Sequence, residues 1–256
     1  MAPITLTTDY GTHDAYAAQL TGALLTALPG ARVIDVSHTV PAYDIVRAAF
    51  LVQQAYAYFP AGTLHIISVN DYYRADFRHV VLAHAGHFFL APDNGLLPLL
   101  FPATVPLAAY ALYHPADTTL PHFYARTAAH VVAGKPLKAI GVPVTDLMQR
   151  TTFQPVVTGQ EIRGAIIHVD QYGNAVTNVA RPLFEQHVGT QRFELYFKRR
   201  NPITQLSRFY QDVAVGQQLC LFNGADLLEV AIAQGNAAEL LGLSVGDGVI
   251  LSVSHL

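Results

Sequence analysis

The stretch ITLTTDYGTHDAYAAQLTGALLTALPGARVIDV, residues 4–36, decides the fold. Ile4-Thr5-Leu6-Thr7 is a short β-prone run halted by Asp9-Tyr10-Gly11-Thr12-His13-Asp14. Ala15 to Leu28 is rich in Ala and Leu and ends at Pro29-Gly30, a helix with its stop signal. Val33-Ile34-Asp35-Val36 is a second strand. Ile45 to Phe59 then reads as a helix broken by Pro60-Ala61-Gly62, and Leu64 to Val69 as a third apolar strand. Strand, helix, strand, helix, strand is the pattern of a parallel sheet with helices on both faces.

Further along the rhythm changes. Val80–Ala83 and His87–Leu90 flank Ala85-Gly86, which predicts a hairpin, and the turn Pro92-Asp93-Asn94-Gly95 follows. A helix through Arg126–Val132 ends at Gly134, and a proline-bearing stretch runs from Pro136 to Pro155. Beyond it Ile162–Val169, Phe193–Phe197, Gln218–Phe222, Leu227–Ile232 and Val249–Val253 are short strands, and only Gly235 to Leu243 can exceed one helical turn. The expectation is a parallel-sheet, Rossmann-like three-layer α/β domain over 1–155. A smaller antiparallel, β-barrel-like domain occupies 156–256.

Composition narrows the function. Of 256 residues 52% are hydrophobic and only 13% charged, which excludes a disordered chain. A net charge of −3, with no basic run beyond Lys198-Arg199-Arg200, argues against nucleic acid. The single cysteine, Cys220, sits in an apolar run and reads as a core residue. His84 and His87 form the one close histidine pair, too few ligands for zinc, so no metal is expected. No run approaches the ~18 apolar residues of a membrane helix. The N-terminus lacks the positive start of a signal peptide, so a cytoplasmic protein without a membrane partner is expected.

In an open parallel sheet, ligands bind beyond the carboxyl ends of the strands. The three loops there carry Asp9 and Asp14, Ser37-His38, and Asn70-Asp71. These acids either line a site or, for Asp9 and Asp14, cap the following helix. Asp170-Gln171-Tyr172-Gly173-Asn174 with Thr177-Asn178 is either a tight turn or an acid, an aromatic and two amides around a polar ligand.

Several of these segments resemble one family. TTDYGTHDAYAAQLTGAL, Asp35-Val36-Ser37-His38, Ala91 to Leu97 (APDNGLL), Asp170 to Asn178 (DQYGNAVTN) and Phe222 to Asn236 (FNGADLLEVAIAQGN) occur in the order found in the S-adenosylmethionine hydrolases. These adenosine-forming hydroxide adenosyltransferases are relatives of fluorinase and chlorinase. The resemblance spans nearly the whole chain. It implies that Asp14 grips the ribose hydroxyls, Tyr43 walls the pocket, Asp170 receives the methionine ammonium, Tyr172 packs on adenine and Asn174 reads its edge. Asn223 lies in the loop near the methionine carboxylate, where Gly224-Ala225 replaces the Ser-Arg of halogenases. A homotrimer is implied, each site lying between the N-terminal domain of one subunit and the C-terminal domain of the next.

The hydrolases prepare water with an Asp–Arg–His set, its first two members in a D-P-G-V-G-T-x-R loop. Asp71 and Arg78 keep that separation, while Tyr72 to Phe77 replace the glycine-rich interior. The histidine falls on Thr119 by ungapped alignment and on His122 after a three-residue shift. The implied reaction is hydrolysis of S-adenosyl-L-methionine to adenosine and L-methionine by water at ribose C5′, without a cofactor. The alternatives are a non-catalytic binder of the same nucleoside, or a hydrolase of another adenosyl sulfonium in a pocket reshaped by Tyr72 and Tyr73.

Overall fold

The computed structural model describes residues 1–71, 77–101, 108–112, 114–115, 117–198 and 201–254. The chain divides into two compact units, 1–152 and 153–256.

The first unit runs β1 (Ile4–Thr8), α1 (Tyr16–Ala27), β2 (Val33–Ser37), α2 (Ile45–Ala55), β3 (Leu64–Ser68), β4 (His79–His84), β5 (His87–Pro92), α3 (Leu96–Leu100), β6 (Ala108–Leu112), α4 (Leu120–Val132) and β7 (Gly141–Val144). Its sheet has the order β2-β1-β3-β5-β4-β6-β7. Strands β1, β2, β3 and β5 are parallel, whereas β4 pairs antiparallel with both β5 and β6, and β6 with β7. The sheet is therefore mixed, which corrects the expected parallel one. The two-residue connection Ala85-Gly86, with φ of 50° and 81°, reverses the chain and leaves β4 no choice of direction.

Alternation along the strands separates two apolar layers. Leu64 and Ile66 of β3 pack with Leu20 and Leu24 of α1 and with Phe123, Tyr124 and Ala128 of α4. Ile67 faces the other way, toward Ala48, Ala49 and Val52 of α2 and Leu96, Leu97 and Leu100 around α3. The Asp44 side chain caps α2, accepting from the Arg47 amide at 2.9 Å. The result is three layers, with the loops after β1, β2 and β3 gathered at one end of the sheet.

The second unit holds β8 (Val156–Thr158), β9 (Glu161–Val169), β10 (Ala175–Ala180), α5 (Arg181–His187), β11 (Arg192–Phe197), β12 (Gln218–Phe222), β13 (Leu227–Ile232), α6 (Ala237–Leu241) and β14 (Gly248–Ser254). Its strands form an antiparallel sheet in the order β11-β14-β9-β10-β13-β12, with β8 on β9. Isolated bridges tie Ile203 to Leu195 of β11 and Leu206 to Cys220 of β12, so one short segment spans the two edges. This is a curled half-barrel rather than a fully laddered barrel. Helix α5 is an addition to the expected elements. It is seven residues long, with Pro182 in its first turn, too short for a periodic pattern. Cys220 is fully buried, as its apolar context required, and burial pushes its thiol up to about 12.

Candidate functional site

Asp9 follows the last residue of β1 and organises the loops around it. One of its carboxylate oxygens accepts from the backbone amides of Tyr43, at 2.9 Å, and Asn70, at 3.0 Å. Both residues hold positive φ, 68° and 50°, a conformation that costs a non-glycine residue about 1 kcal/mol or more. The carboxylate thus joins three loops and stabilises the strained backbone of two. His38 is likewise structural, bound to Thr8 at 2.8 Å and to Asp35 at 3.1 Å.

A cavity of about 550 Å³ opens beside this hub, walled by Asp9, Tyr10, Tyr16, Gln19, Tyr43 and Asp71. Tyr43 is 72% exposed, an aromatic face without a covering group among the described residues. Asp14 is exposed beside helix α1, whose N-cap position is Ala15 with no side-chain cap, so the capping alternative for Asp14 does not hold.

Asp71 behaves differently, because its side chain is 0% exposed. Its Oδ2 accepts hydrogen bonds from the Ser68 hydroxyl at 2.6 Å and the Tyr124 hydroxyl at 2.5 Å. Its Oδ1 faces His79 Nε2 at 3.0 Å. Nδ1 of His79 is buried and has no hydrogen-bond partner among the described residues. The Nε2–H tautomer satisfies the carboxylate and leaves only a lone pair unmatched; the other tautomer would oppose lone pairs and orphan an N–H. Burial and the Asp71 charge push the Tyr124 phenol well above its ordinary range, so it stays a donor. Tyr10 extends the network, its hydroxyl 2.7 Å from Ser68 Oγ.

Two expected members of this set lie elsewhere. Arg78 does not reach Asp71. Its Nε donates to Asp93 at 2.8 Å, its Nη2 to the same carboxylate, and its Nη1 to Asp146 at 3.1 Å. Asp93 also accepts from the Met148 amide at 3.0 Å, so this arginine fastens the 146–148 segment to the Pro92–Gly95 turn. The reason is strand alternation: Arg78 and His79 adjoin at the start of β4, and only one can face Asp71. His122 is exposed and shares a 2.7 Å hydrogen bond with Thr119, so neither alignment alternative meets Asp71. Tyr124, two residues on and on the opposite face of α4, makes that contact instead. Tyr72 and Tyr73 lie outside the described residues.

The second unit carries a cavity of about 490 Å³ walled by Tyr172, Asn174, Tyr210, Ile232, Gln234 and Asn236. Asp170 builds its rim. Oδ1 accepts from the amides of Tyr172 and Asn174 at 2.9 and 2.8 Å, and Oδ2 from the Asn174 side chain at 3.0 Å. Gly173 sits at φ 84°, where a Cβ would meet the Asn236 side chain at 1.9 Å, so only glycine fits. Tyr172 is 79% exposed at the cavity mouth.

Asn223 is not part of that wall. Its Oδ1 accepts from the Ala225 and Leu227 amides at 2.9 and 3.3 Å, and its Nδ2 donates to Glu229 at 3.2 Å. It shapes its loop and positions Glu229, a buried acid whose other oxygen accepts from Tyr210 at 2.8 Å. Burial, aided by the Asp170 charge, raises the Glu229 carboxyl above its ordinary range.

The residues that sequence reading missed are thus Tyr10, Ser68, His79, Tyr124, Tyr210 and Glu229. Ser68 had a signal as a polar residue closing an apolar strand, and His79 as the neighbour of Arg78. Tyr124 and Tyr210 had none. Among the described residues no group of three or more His, Cys, Asp or Glu could hold a metal. His87 pairs with His65 at 3.2 Å, and His84 packs on Phe101. None of the described helices is long and apolar enough to cross a membrane.

Residues 4–141 match the N-terminal domain of the SAM hydroxide adenosyltransferases, and residues 164–250 match their C-terminal domain. The (R)-S-adenosyl-L-methionine hydrolase of Thermus thermophilus is 31% identical, over 98% of this chain and 100% of that protein. A fluorinase of Actinoplanes sp. is 26% identical over 72% of this chain and 73% of its own length. An uncharacterized conserved protein from Thermotoga maritima shares the fold, with a TM-score of 0.86, 24% identity, and coverage of 97% and 99% of the two chains.

Proposed function

The chain belongs to the SAM hydroxide adenosyltransferase family, and from that premise we propose the following reaction. The enzyme hydrolyses S-adenosyl-L-methionine to adenosine and L-methionine. Water attacks ribose C5′, the C5′–S bond breaks with its electron pair going to sulfur, and methionine departs as a neutral thioether. That departure requires no acid and no cofactor. The chemical demand is to hold water opposite the sulfur and to take one proton from it.

The observation that carries the reading is the buried Asp71 carboxylate, held by Ser68, Tyr124 and His79 beside a tyrosine-walled cavity. Asp71 is the final proton acceptor. Asp14 grips the ribose hydroxyls, for which its exposed carboxylate is suited. Tyr43 walls the pocket, Asp170 receives the ammonium, Tyr172 packs on adenine and Asn174 reads its edge. Water is favoured over halide because the buried Asp71 carboxylate, two hydroxyls away from the nucleophile, repels an anion by about 2 kcal/mol at ~8 Å and an effective dielectric of about 20. The resemblance implies a cytoplasmic homotrimer in which neighbouring copies complete each site, and the placing of Tyr43 on one cavity and of Tyr172 and Asn174 on another, in separate units, supports that reading.

The test is mass spectrometry of products after incubation in ¹⁸O-labelled water, with the (R) and (S) sulfonium epimers supplied separately because the Thermus relative's name specifies the (R) form. Labelled adenosine plus unlabelled methionine is expected. Binding without product would select the non-catalytic reading, and 5′-halo-adenosine formed as fast as adenosine would overturn the preference for water.

A further inference from the structure

Asp71 borders the cavity, but its side chain is 0% exposed and its carboxylate is already held by Ser68, Tyr124 and His79, so a water in the cavity reaches this proton acceptor through an intervening hydroxyl. One chain of hydroxyls links the two. Ser68 donates its proton to Asp71 Oδ2 at 2.6 Å, which commits Ser68 Oγ to act as acceptor toward Tyr10 at 2.7 Å. Tyr10 must then be the donor of that bond, and its oxygen lone pairs remain for a donor on the cavity side, where Tyr10 forms part of the wall. The direction of every bond is fixed by the carboxylate at the far end.

The geometry points to Tyr10 as the residue that contacts the attacking water, and to Tyr10–Ser68–Asp71 as a proton relay. As the water oxygen bonds to C5′, one of its protons passes to the Tyr10 oxygen. Tyr10 gives its own proton to Ser68, and Ser68 gives its proton to Asp71. Both hydroxyls end unchanged and Asp71 ends as the carboxylic acid, which returns the proton to solvent back along the same two hydroxyls after product leaves. Tyr10 never needs to become a phenolate. Its hydroxyl is held up at about 12, chiefly by burial and against the Ser68 hydrogen bond, so the phenolic proton is present throughout the working pH range. His79 is a positioning residue: by occupying Oδ1 it holds Oδ2 toward Ser68. Tyr124 completes Oδ2 from the helix side. The relay deepens the proposed hydrolysis and rests on it.

The experiment compares single-turnover rates of wild type, Tyr10→Phe, Ser68→Ala and the double variant, with thermal unfolding as the check on folding. Tyr10→Phe and Ser68→Ala are each expected to slow the chemical step by about 100-fold, with KM held within about threefold. The double variant should be no slower than either single one, because links of one chain fail together. The wild-type rate should fall in a curved manner with deuterium fraction, and the curvature should vanish in Tyr10→Phe. Ser68→Ala keeps the test open should Tyr10→Phe not fold. An inactive wild type would overturn hydrolysis and relay together. An active wild type with both single variants within about threefold of it, or a double variant showing the product of the single losses, would overturn the relay alone.

Discussion

Arg78 and His79 are adjacent, polar and both rich in donors, yet the strand they enter separates their tasks. Arg78 serves structure, joining Asp93 to Asp146. His79 serves the carboxylate. Arg78→Ala is therefore expected to lower stability by about 2 kcal/mol, through the Asp93 carboxylate left without its charged donor, while the chemical step slows by less than about tenfold. Denaturant unfolding together with single-turnover kinetics separates the two effects. Asp71→Asn should do the reverse. The amide cannot accept a proton, so turnover falls by about 1000-fold or more while adenosine binding by calorimetry stays within about threefold. Persistent turnover in Asp71→Asn would remove Asp71 from the reaction.

Strands β1, β3 and β5 bury a histidine pair that plays no part in the site. Thr5 Oγ1 meets His65 Nδ1 at 2.8 Å, and His65 Nε2 meets His87 Nδ1 at 3.2 Å, among Tyr56, Phe59 and Phe89. Burial, with the neighbouring His87, lowers His65 from 6.5 to about 4. The unfolded chain then binds more protons than the folded one between those values. Stability contributed by the neutral imidazole is complete above pH 6.5 and declines as pH falls toward 4, by up to about 3 kcal/mol. Unfolding measured at pH 7 and pH 5 should show the loss, and His65→Phe should flatten it. Sequence reading recovers elements of this kind unevenly. Strands β1, β3 and β5 announce themselves as apolar runs between clear breakers, and the Ala85-Gly86 hairpin is explicit. Strand β6 is alanine-rich, a weak strand former, and β7 carries Pro143, tolerable only because β7 is the sheet's edge. Neither competes with its flanks in a local pattern. The site divides the same way. Asp71 is visible from its place after an apolar strand, whereas Tyr124 reaches it from residue 124 by a tertiary contact that no local spacing encodes.

At the scale of the whole molecule, the two cavities that carry the candidate residues are each walled by residues of a single unit: Tyr10, Tyr43 and Asp71 in one, Tyr172, Asn174 and Tyr210 in the other. Each mouth exposes a tyrosine, Tyr43 or Tyr172, that a free monomer would have reason to cover. If neighbouring copies complete each site, the two halves are separable by genetics. Asp71→Asn disables the first half and Tyr172→Ala weakens the second, so a chain carrying either is impaired at every site of its own homotrimer. Co-expression mixes them. A site that takes its first half from the Tyr172→Ala chain and its second from the Asp71→Asn chain has no damage, and random assortment makes about one site in four of this kind. The co-expressed mixture is therefore expected to recover about a quarter of wild-type turnover, in an assembly near three times the 27.8 kDa chain by light scattering. If both halves came from the same chain, every site in the mixture would carry one lesion and no activity would return, whatever the oligomer's size.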